Sequence, residues 1–251
     1  MEFERIADIK RLNFIVDVLK QKLPAGAEVL DVGCGNGVIS RSLGERGFNV
    51  KGIDISEKAI ARAIELNTFP NVKFAVISAE QLVVDGNRYH AVICSEVLEH
   101  LNDPGKLLNV LYQVLHDDGV LIVTVPNGRG PRELLVTRPV IYLQKNNRWS
   151  WRLLQGMKKM LGYKGTTVQS SADDLTHIQF FTRASLQKLA AANKFSIIRF
   201  GKTNFIEDVF PFSFFTKKIK TLQKLDCQVA EWLPYGFTGG FVSVWKKNRR
   251  N

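Results

Sequence analysis

Three glycines that interrupt an apolar run are the residues in this chain whose type and spacing most clearly indicate a chemical role. The run Val29-Leu30-Asp31-Val32 leads into Gly33, Gly35 and Gly37, and a second apolar run ends at Asp54. Glycine permits a sharp turn and a close approach of backbone to ligand, because it carries no Cβ. An acid about 20 residues beyond such glycines is typical of nucleotide-binding strand–helix–strand units, where it holds a ribose hydroxyl. The spacing therefore predicts a site for a small molecule that contains adenosine.

The glycine spacing narrows the class of ligand. A dinucleotide fingerprint has the form G-x-G-x-x-G, whereas this loop reads G-x-G-x-G and has Val38 where the third glycine would fall. Asp31, two residues before the first glycine, adds a negative charge that favours an ammonium or sulfonium group over a pyrophosphate. This pattern disfavours a nicotinamide-dependent dehydrogenase.

A second set of reactive side chains follows the predicted fourth strand, in Ser95-Glu96-Val97-Leu98-Glu99-His100. In a helix, Glu96, Glu99 and His100 would share one face, because they are spaced i, i+3 and i+4. Two carboxylates and an imidazole form a ligand set for magnesium, manganese or zinc. The alternative is that Glu99 and His100 only orient the loop after the strand.

Alternating strands and helices must position both sets of residues. Apolar residues at helical spacing predict helices over residues 5–23, 37–46, 57–67, 104–115 and 182–193. Short apolar runs predict seven strands, over residues 28–32, 49–54, 72–77, 91–94, 120–125, 195–200 and 240–245. The alternation predicts an α/β fold with a parallel, doubly wound sheet.

Two segments interrupt this alternation. Residues 127–175 are rich in Arg, Lys, Trp, Asn and Ser, and they are interpreted as an insertion after strand five. Residues 205–236 are predicted to be a second irregular stretch, rich in aromatic side chains. We interpret residues 1–251 as a single domain that carries both segments.

Length and composition exclude several classes of protein. The 251 residues are 45% hydrophobic, enough for a substantial core, and no run of about 18 apolar residues predicts a transmembrane helix. The acidic start, residues 1–5, lacks the apolar stretch of a secretory signal. Three cysteines without pairing or metal-ligand spacing fit a reducing compartment, so a cytoplasmic location is expected. The net charge of +11 permits nucleic acid, an anionic membrane or an acidic substrate as a partner.

The block from Val29 to Asp54 resembles motif I and the following strand of class I S-adenosylmethionine-dependent methyltransferases. The resemblance covers most of residues 9–125 and the last sixty or so residues, and it is strongest for the ubiquinone-biosynthesis O-methyltransferases. It implies a Rossmann-like sheet of seven strands whose last strand is antiparallel. It also implies an enzyme that uses S-adenosylmethionine as its methyl donor.

The resemblance also assigns a role to five residues at the ends of the first two strands. It implies that Gly33 and Gly35 lie under the methionine part of the donor, with Asp31 on its ammonium side. Asp54 would take the ribose hydroxyls, and Ile55 would lie against the adenine.

Four further positions complete the implied donor site. Arg11 matches an arginine near the donor carboxylate, with a solvated helix arginine as the alternative interpretation. Ser95 matches a donor-contacting position after strand four. Ser78, followed by Ala79, stands where the family often has an acid for the adenine amine. A hydroxyl can accept the same hydrogen bond, but adenine recognition is then expected to be weaker.

A distant histidine extends the candidate metal site. His177 begins the run His177-Ile178-Gln179-Phe180-Phe181-Thr182-Arg183. The pattern E-x-x-E-H followed by H-x-x-F-x-T-R resembles magnesium-dependent small-RNA 2′-O-methyltransferases, which hold a metal at the acceptor hydroxyl with two glutamates and two histidines. The resemblance implies a Mg²⁺ or other divalent metal at Glu96, Glu99, His100 and His177. Without a metal, His100 and His177 would act as general base and substrate orienter.

The acceptor is expected to be a small or amphiphilic hydroxyl compound, such as a quinone precursor, a lipid or a glycan. The family places acceptor elements after strand five. The mixture of Trp, Leu, Lys and Arg within residues 127–175 predicts an interfacial helix, which would make the protein peripheral on an anionic membrane. A lid helix packed on the domain is the alternative.

Two other functions stay open. An RNA 2′-O-methyltransferase fits the charge and the four-ligand pattern, but the chain has no separate RNA-binding motif and no plain track of basic residues. A module that binds the donor without turnover is disfavoured, because all four candidate metal ligands are present. The sequence leaves the oligomeric state open.

Overall fold

A mixed sheet forms the centre of the computed structural model, which describes residues 3, 5–83, 86–138, 178–207, 209, 212–216 and 219–248. Its strands are β1 (Glu28–Val32), β2 (Asn49–Asp54), β3 (Val72–Val76), β4 (Tyr89–Ser95), β5 (Leu115–Pro126), β6 (Phe195–Lys202) and β7 (Gly240–Lys247). Their order across the sheet is β3-β2-β1-β4-β5-β7-β6. β1 to β5 are parallel, and β7 runs antiparallel to both β5 and β6. The predicted doubly wound, seven-stranded sheet with an antiparallel last strand is confirmed.

Helices cover both faces of this sheet. Within the described ranges the α-helices are α1 (Ile6–Lys22), α2 (Val38–Gly44), α3 (Glu57–Glu65), α4 (Pro104–Val114), α5 (Arg183–Ala192), α6 (Phe212–Thr216) and α7 (Lys220–Trp232), and a π-helical turn spans Glu133–Thr137. The side chains of Ser56, Asp103 and Thr182 cap α3, α4 and α5, because each accepts a backbone N–H of the first turn. In this part of the chain, no helix combines the length and the apolar character needed to cross a bilayer.

Alternate residues of the central strands face two separate apolar layers. On one side Ile93 and Ile122 belong to a cluster that includes residues of α1 and α2. On the other side Val92 and Leu121 pack with residues of α4 and α5. Burial on both faces explains why these strands read as continuous apolar runs. It leaves the carboxyl edge of the parallel strands as the place for a ligand.

β5 begins five residues before its predicted start. Tyr89 of β4 pairs with Leu115, and Ala91 pairs with Val120, with an irregularity between the two pairs. The polar residues Asp117 and Asp118 lie in this irregular part, where side chains need not alternate between core and solvent. An apolar pattern therefore does not detect the first part of the strand.

The prediction that residues 205–236 are irregular is wrong, because α6 and α7 lie within them. The face that α7 buries consists of Gln223, Asp226, Cys227 and Ala230. Polar and small side chains on the inner face remove the hydrophobic period that indicates a helix. Residues 139–175 of the predicted insertion, with its predicted interfacial helix, lie outside the described residues.

Candidate active site

The glycine loop after β1 has a backbone conformation that residues other than glycine rarely adopt. Gly33, Gly35 and Gly37 have φ angles of 68°, 55° and 78°. A Cβ added at Gly33 would lie 2.5 Å from Cγ2 of Val97, so the loop also passes close under that side chain. Both facts require glycine at this position.

Asp54, at the end of β2, joins this loop to the next helix. Its Oδ2 accepts the backbone N–H of Gly35 at 2.9 Å, and its Oδ1 accepts the backbone N–H of Ser56 at 2.9 Å. The neighbouring side chain of Ile55 is 80% exposed. A fixed carboxylate therefore lies beside an open apolar surface, which suits a ribose and a flat base.

Asp31 is buried at the end of β1, under the glycine loop. Its Oδ2 accepts a hydrogen bond from Ser40 Oγ of α2 at 2.6 Å. Burial raises the pKa of Asp31 to about 7, the negative charge of Asp54 adds to the rise, and the bond from Ser40 opposes it. A nearby cation would therefore be needed to keep this carboxyl fully ionised near neutral pH.

Ser78 and Ala79 follow β3, next to the end of β2 in the sheet. The backbone N–H of Ser78 donates to Oε1 of Gln81 at 2.8 Å, and Ala79 is buried at the start of a 3₁₀ turn over Ala79–Val83. Ser78 therefore lies at the same edge of the sheet as Asp54, in a turn that the Gln81 side chain stabilises.

A network of polar side chains follows β4 and ties it to β5 and α1. Ser95 Oγ lies 2.9 Å from Oγ1 of Thr124, which itself donates to Oε1 of Glu96 at 2.9 Å. Nη1 of Arg11 lies 3.2 Å from the same Oε1, and its Nη2 lies 2.9 Å from Oδ1 of Asp8. Arg11 is buried, so the alternative of a solvated helix arginine is wrong.

Thr124 was not singled out from the sequence, although a signal was present. It is the polar residue within Val120-Leu121-Ile122-Val123-Thr124-Val125, and it is fully buried. A buried hydroxyl in an otherwise apolar central strand needs a hydrogen-bond partner, and such a partner is often functional.

The expectation that Glu96, Glu99 and His100 share one helical face is wrong. Glu96 has a φ of 58°, in the left-handed region, and only Leu98–His100 form a 3₁₀ turn. The backbone N–H of Glu96 instead donates to the carbonyl oxygen of Thr124 at 3.0 Å. This pairing with β5 directs Glu96 toward Arg11 and interrupts the helical spacing assumed from the sequence.

Glu99 is buried beside His100. Burial raises the pKa of Glu99 well above its ordinary value, and the negative charge of Glu96 adds to the rise. Its Oε1 lies 3.7 Å from Nε2 of His100, and its Oε2 has no hydrogen-bond partner within the described ranges. Ile178 and Gln179 donate backbone N–H groups to the Glu99 carbonyl oxygen at 2.8 and 2.9 Å. The chain segment that follows His177 is therefore anchored to this turn.

The described residues test only part of the predicted metal site at Glu96, Glu99, His100 and His177. Among the described residues, no group of three or more His, Cys, Asp or Glu side chains is arranged to hold a metal ion. His177 lies outside the described residues, so the four-ligand set is not tested.

A small polar cleft of about 70 Å³ opens beside Arg11 and Glu96. The start of α1, the end of β5 and the start of β7 form its walls, and its charged lining residues are Arg5, Asp8, Arg11, Glu96 and Arg132. Arg5 is fixed there by Glu207, whose Oε1 lies 2.6 Å from its Nη2. Arg5, Asp8 and Arg132 were not singled out from the sequence, because no spacing pattern marks them, although Arg132 lies within the predicted insertion.

Asn127 closes this end of the sheet. Its Nδ2 donates to the carbonyl oxygens of Tyr235, Gly236 and Thr238 at 3.0, 3.3 and 2.8 Å. The N–H of the next residue, Gly128, donates to the carbonyl oxygen of Phe181 at 2.7 Å. The first residues of the predicted insertion are thus fixed to the loop before β7.

Comparison with known proteins shows which family the sequence matches. The sequence model of a family described as "Methyltransferase domain" matches residues 3–199. A ubiquinone biosynthesis O-methyltransferase of Pseudomonas aeruginosa is 34% identical over 139 residues, which are 53% of this chain and 58% of that protein. The match therefore spans little more than half of the relative's length.

Solved structures share the fold at lower identity. A magnesium protoporphyrin IX methyltransferase from Synechocystis PCC 6803 with bound SAH covers 96% of this chain and 84% of its own, with a TM-score of 0.54 and 20% identity. A putative sarcosine dimethylglycine methyltransferase from Galdieria sulphuraria covers 96% and 86%, with a TM-score of 0.60 and 15% identity.

Proposed function

This chain belongs to the methyltransferase domain family, the S-adenosylmethionine-dependent class that its sequence resembles, and we propose that it methylates a hydroxyl oxygen of a small or amphiphilic acceptor. One observation carries the proposal: Asp54, held by the glycine loop, stands beside the open side chain of Ile55 at the carboxyl edge of the sheet. S-adenosylmethionine supplies an activated methyl group. The protein has to place an acceptor oxygen in line with it and help to remove a proton.

The adenosine part of the donor is assigned to the ends of β2 and β3. Each oxygen of Asp54 accepts one backbone N–H and keeps a lone pair for a ribose hydroxyl. Ile55 offers apolar surface to one face of the adenine, and Ser78 and Ala79 flank its edge.

The methionine part is assigned to the ends of β1 and β4. Gly33 and Gly35 keep the backbone free of side chains beneath it. Asp31 and Ser95 serve its ammonium group, and Arg11 serves its carboxylate. The burial of Arg11 against Asp8 and Glu96 supports this role, because a guanidinium fixed by two acids is already oriented for a third partner.

His100 is proposed as the base that takes the acceptor proton. Its side chain is partly exposed at the end of the turn that follows β4, and histidine is the side chain most often used for proton transfer in enzymes. The neighbouring polar cleft is proposed to hold the acceptor, with guanidinium groups placed to bind oxygen substituents. The name of the Pseudomonas relative supports a quinone precursor as the first acceptor to test.

A magnesium ion at Glu96, Glu99, His100 and His177 is the alternative to direct proton transfer. The described members of that set do not fit a metal shell, because Oε1 of Glu96 already receives Thr124 and Arg11. We therefore derive no step through a metal. His177 is then proposed to orient the acceptor.

The test is methyl transfer from radiolabelled S-adenosylmethionine into an extract of the source organism, followed by partition of the label. Label in the organic phase supports a quinone or lipid acceptor, and it makes residues 127–175 the first candidate for contact with that lipid. Label in RNA contradicts the proposal and favours the 2′-O-methyltransferase alternative. Donor binding without transfer to any fraction favours a module without turnover. Parallel reactions with magnesium and with EDTA decide between a metal-assisted step and histidines that act alone.

A further inference from the structure

The helix α7 has its larger apolar side chains on the outside of the molecule. Leu222, Leu225, Val229 and Trp232, here called the α7 stripe, recur at i, i+3, i+7 and i+10 and so lie along one side of the helix. Trp232 is 89% exposed, and the other three are between 36% and 50% exposed. The side of α7 that faces the domain carries polar and small residues instead. This is the reverse of the arrangement expected for a helix that only covers a core.

Hydrogen bonds on the inner side fix this orientation. Oε1 of Gln223 accepts the backbone N–H of Ile6, and its Nε2 donates to the carbonyl oxygen of Thr216. The carboxylate of Asp226 accepts the backbone N–H groups of Phe205 and Ile206. Rotation of α7 to bury the stripe would leave these groups without partners, which is unfavourable. The exposure of the stripe is therefore a specified property of the fold.

The exposed charges on α7 are mainly positive, and Glu231 is the exposed acid among them. Lys220 and Lys224 are exposed on α7, and the sequence adds Lys217 and Lys218 just before the helix. Of the two acids in α7, Asp226 is buried, and Glu231 forms an ion pair with Lys10. Lysines beside leucine, valine and tryptophan on one helix are typical of a helix that lies in the interface of an anionic bilayer.

We infer that α7 is a membrane-docking helix, which inserts the α7 stripe among the acyl chains of an anionic lipid surface while its lysines contact the headgroups. This surface is separate from residues 127–175, and the inference does not depend on the acceptor proposed above. The polar cleft lies behind this helix, because Phe205, which lines the cleft, donates its backbone N–H to Asp226 on the inner face of α7.

The test measures binding of the full chain to sedimented vesicles, made either of phosphatidylcholine alone or of an equimolar mixture with phosphatidylglycerol. We expect binding to the mixture only, weakened by salt. The triple variant Leu225→Ser, Val229→Ser and Trp232→Ser should bind at least about tenfold less, since it removes most of the inserted apolar surface. The double variant Lys220→Glu and Lys224→Glu should lose binding by about the same factor.

Matched controls separate docking from general effects. The variant Ile64→Ser with Ile198→Ser removes exposed apolar side chains from α3 and β6 and should bind vesicles normally. All variants should keep the wild-type affinity for S-adenosylhomocysteine, so that loss of vesicle binding is distinct from failure of the donor site. The blue shift of tryptophan fluorescence on anionic vesicles should be reduced in Trp232→Phe.

Three results would overturn the inference. The first is unchanged vesicle binding by the triple variant. The second is loss of binding in a Trp149→Ser and Trp151→Ser variant while the triple variant binds normally, which would assign the contact to the insertion. The third is a dimer in sedimentation equilibrium that the triple variant dissociates, which would assign the stripe to a second copy of this chain.

Discussion

Two hydrogen bonds join Thr124 of β5 to Glu96, the residue that follows β4. Thr124 Oγ1 donates to Oε1 of Glu96 at 2.9 Å, and the backbone N–H of Glu96 donates to the Thr124 carbonyl oxygen at 3.0 Å. Because a hydroxyl has a single proton, Ser95 must be the donor in its 2.9 Å contact with Thr124. Ser95 Oγ is then left with lone pairs only. It can accept from an ammonium group, but it has no proton to offer to a carboxylate.

Replacement of Thr124 by valine should weaken donor binding by about tenfold, because it removes the acceptor that orients the Ser95 proton and the donor that holds Glu96. Thr124→Ser keeps the hydroxyl and should bind normally. Isothermal titration with S-adenosylhomocysteine measures the loss. 5′-Methylthioadenosine, which lacks the amino-acid part, should bind Thr124→Val and wild type equally. An equal loss for both ligands would indicate damage to the fold instead.

Ile55→Ser should weaken binding of S-adenosylhomocysteine about fivefold to tenfold, since the exposed side chain has little role in folding but is proposed to cover the adenine. Ile64→Ser on α3, which also alters an exposed isoleucine, is the matched control and should bind like wild type. Thermal unfolding of both variants should stay close to that of wild type. Identical affinities for the two variants would remove Ile55 from the donor site.

The raised pKa of Asp31 predicts a specific dependence of stability on pH. The folded state binds the Asp31 proton more tightly than the unfolded chain, so the contribution is fully present below about pH 4 and is lost as pH rises to about 7. Within that window the free energy of unfolding should fall by about 1.4 kcal/mol per pH unit from this group. Asp31→Asn should show a shallower profile in urea unfolding, whereas exposed Asp17→Asn should follow wild type. If the free energy of unfolding depends on pH in the same way for wild type and Asp31→Asn, the raised pKa of Asp31 is contradicted.

His100→Gln should lower the rate of methyl transfer by about a hundredfold and leave the affinity for S-adenosylhomocysteine unchanged, because the imidazole is proposed to act only on the acceptor proton. His116→Gln, at the opposite end of the strands in the first part of β5, should change neither quantity. Single-turnover rates with an accepted catechol or quinol measure the effect. A rate loss that disappears at high pH would support the role as base, and wild-type rates at all pH values would reject it.

The sequence correctly predicts those parts of the fold in which a local pattern of residues determines the structure. Gly33, Gly35 and Gly37 adopt positive φ angles that only glycine readily takes, so their types mark the loop directly. The positions of the parallel strands follow from short apolar runs, because both faces of these strands are buried.

The parts that sequence missed depend on contacts distant in the chain. Contacts with Thr124 and Arg11 hold Glu96 in the left-handed region of backbone conformation. The i, i+3 and i+4 spacing of Glu96, Glu99 and His100 therefore does not place them on one helical face. The polar inner face of α7 is explained by partners at Ile6, Phe205 and Ile206. Neither partner set can be read from a window of neighbouring residues.

The position of β7 between β5 and β6 constrains the order in which the strands can join the sheet. β6 precedes β7 by about forty residues. Among the described strands it hydrogen-bonds only to β7, so it has no partner in the sheet until β7 is synthesised. During synthesis, β5 therefore presents an open edge until the last strand leaves the ribosome. A fragment cut near residue 199, where the family match ends, would keep that edge permanently and should aggregate, even though it retains the glycine loop, Asp54 and His100.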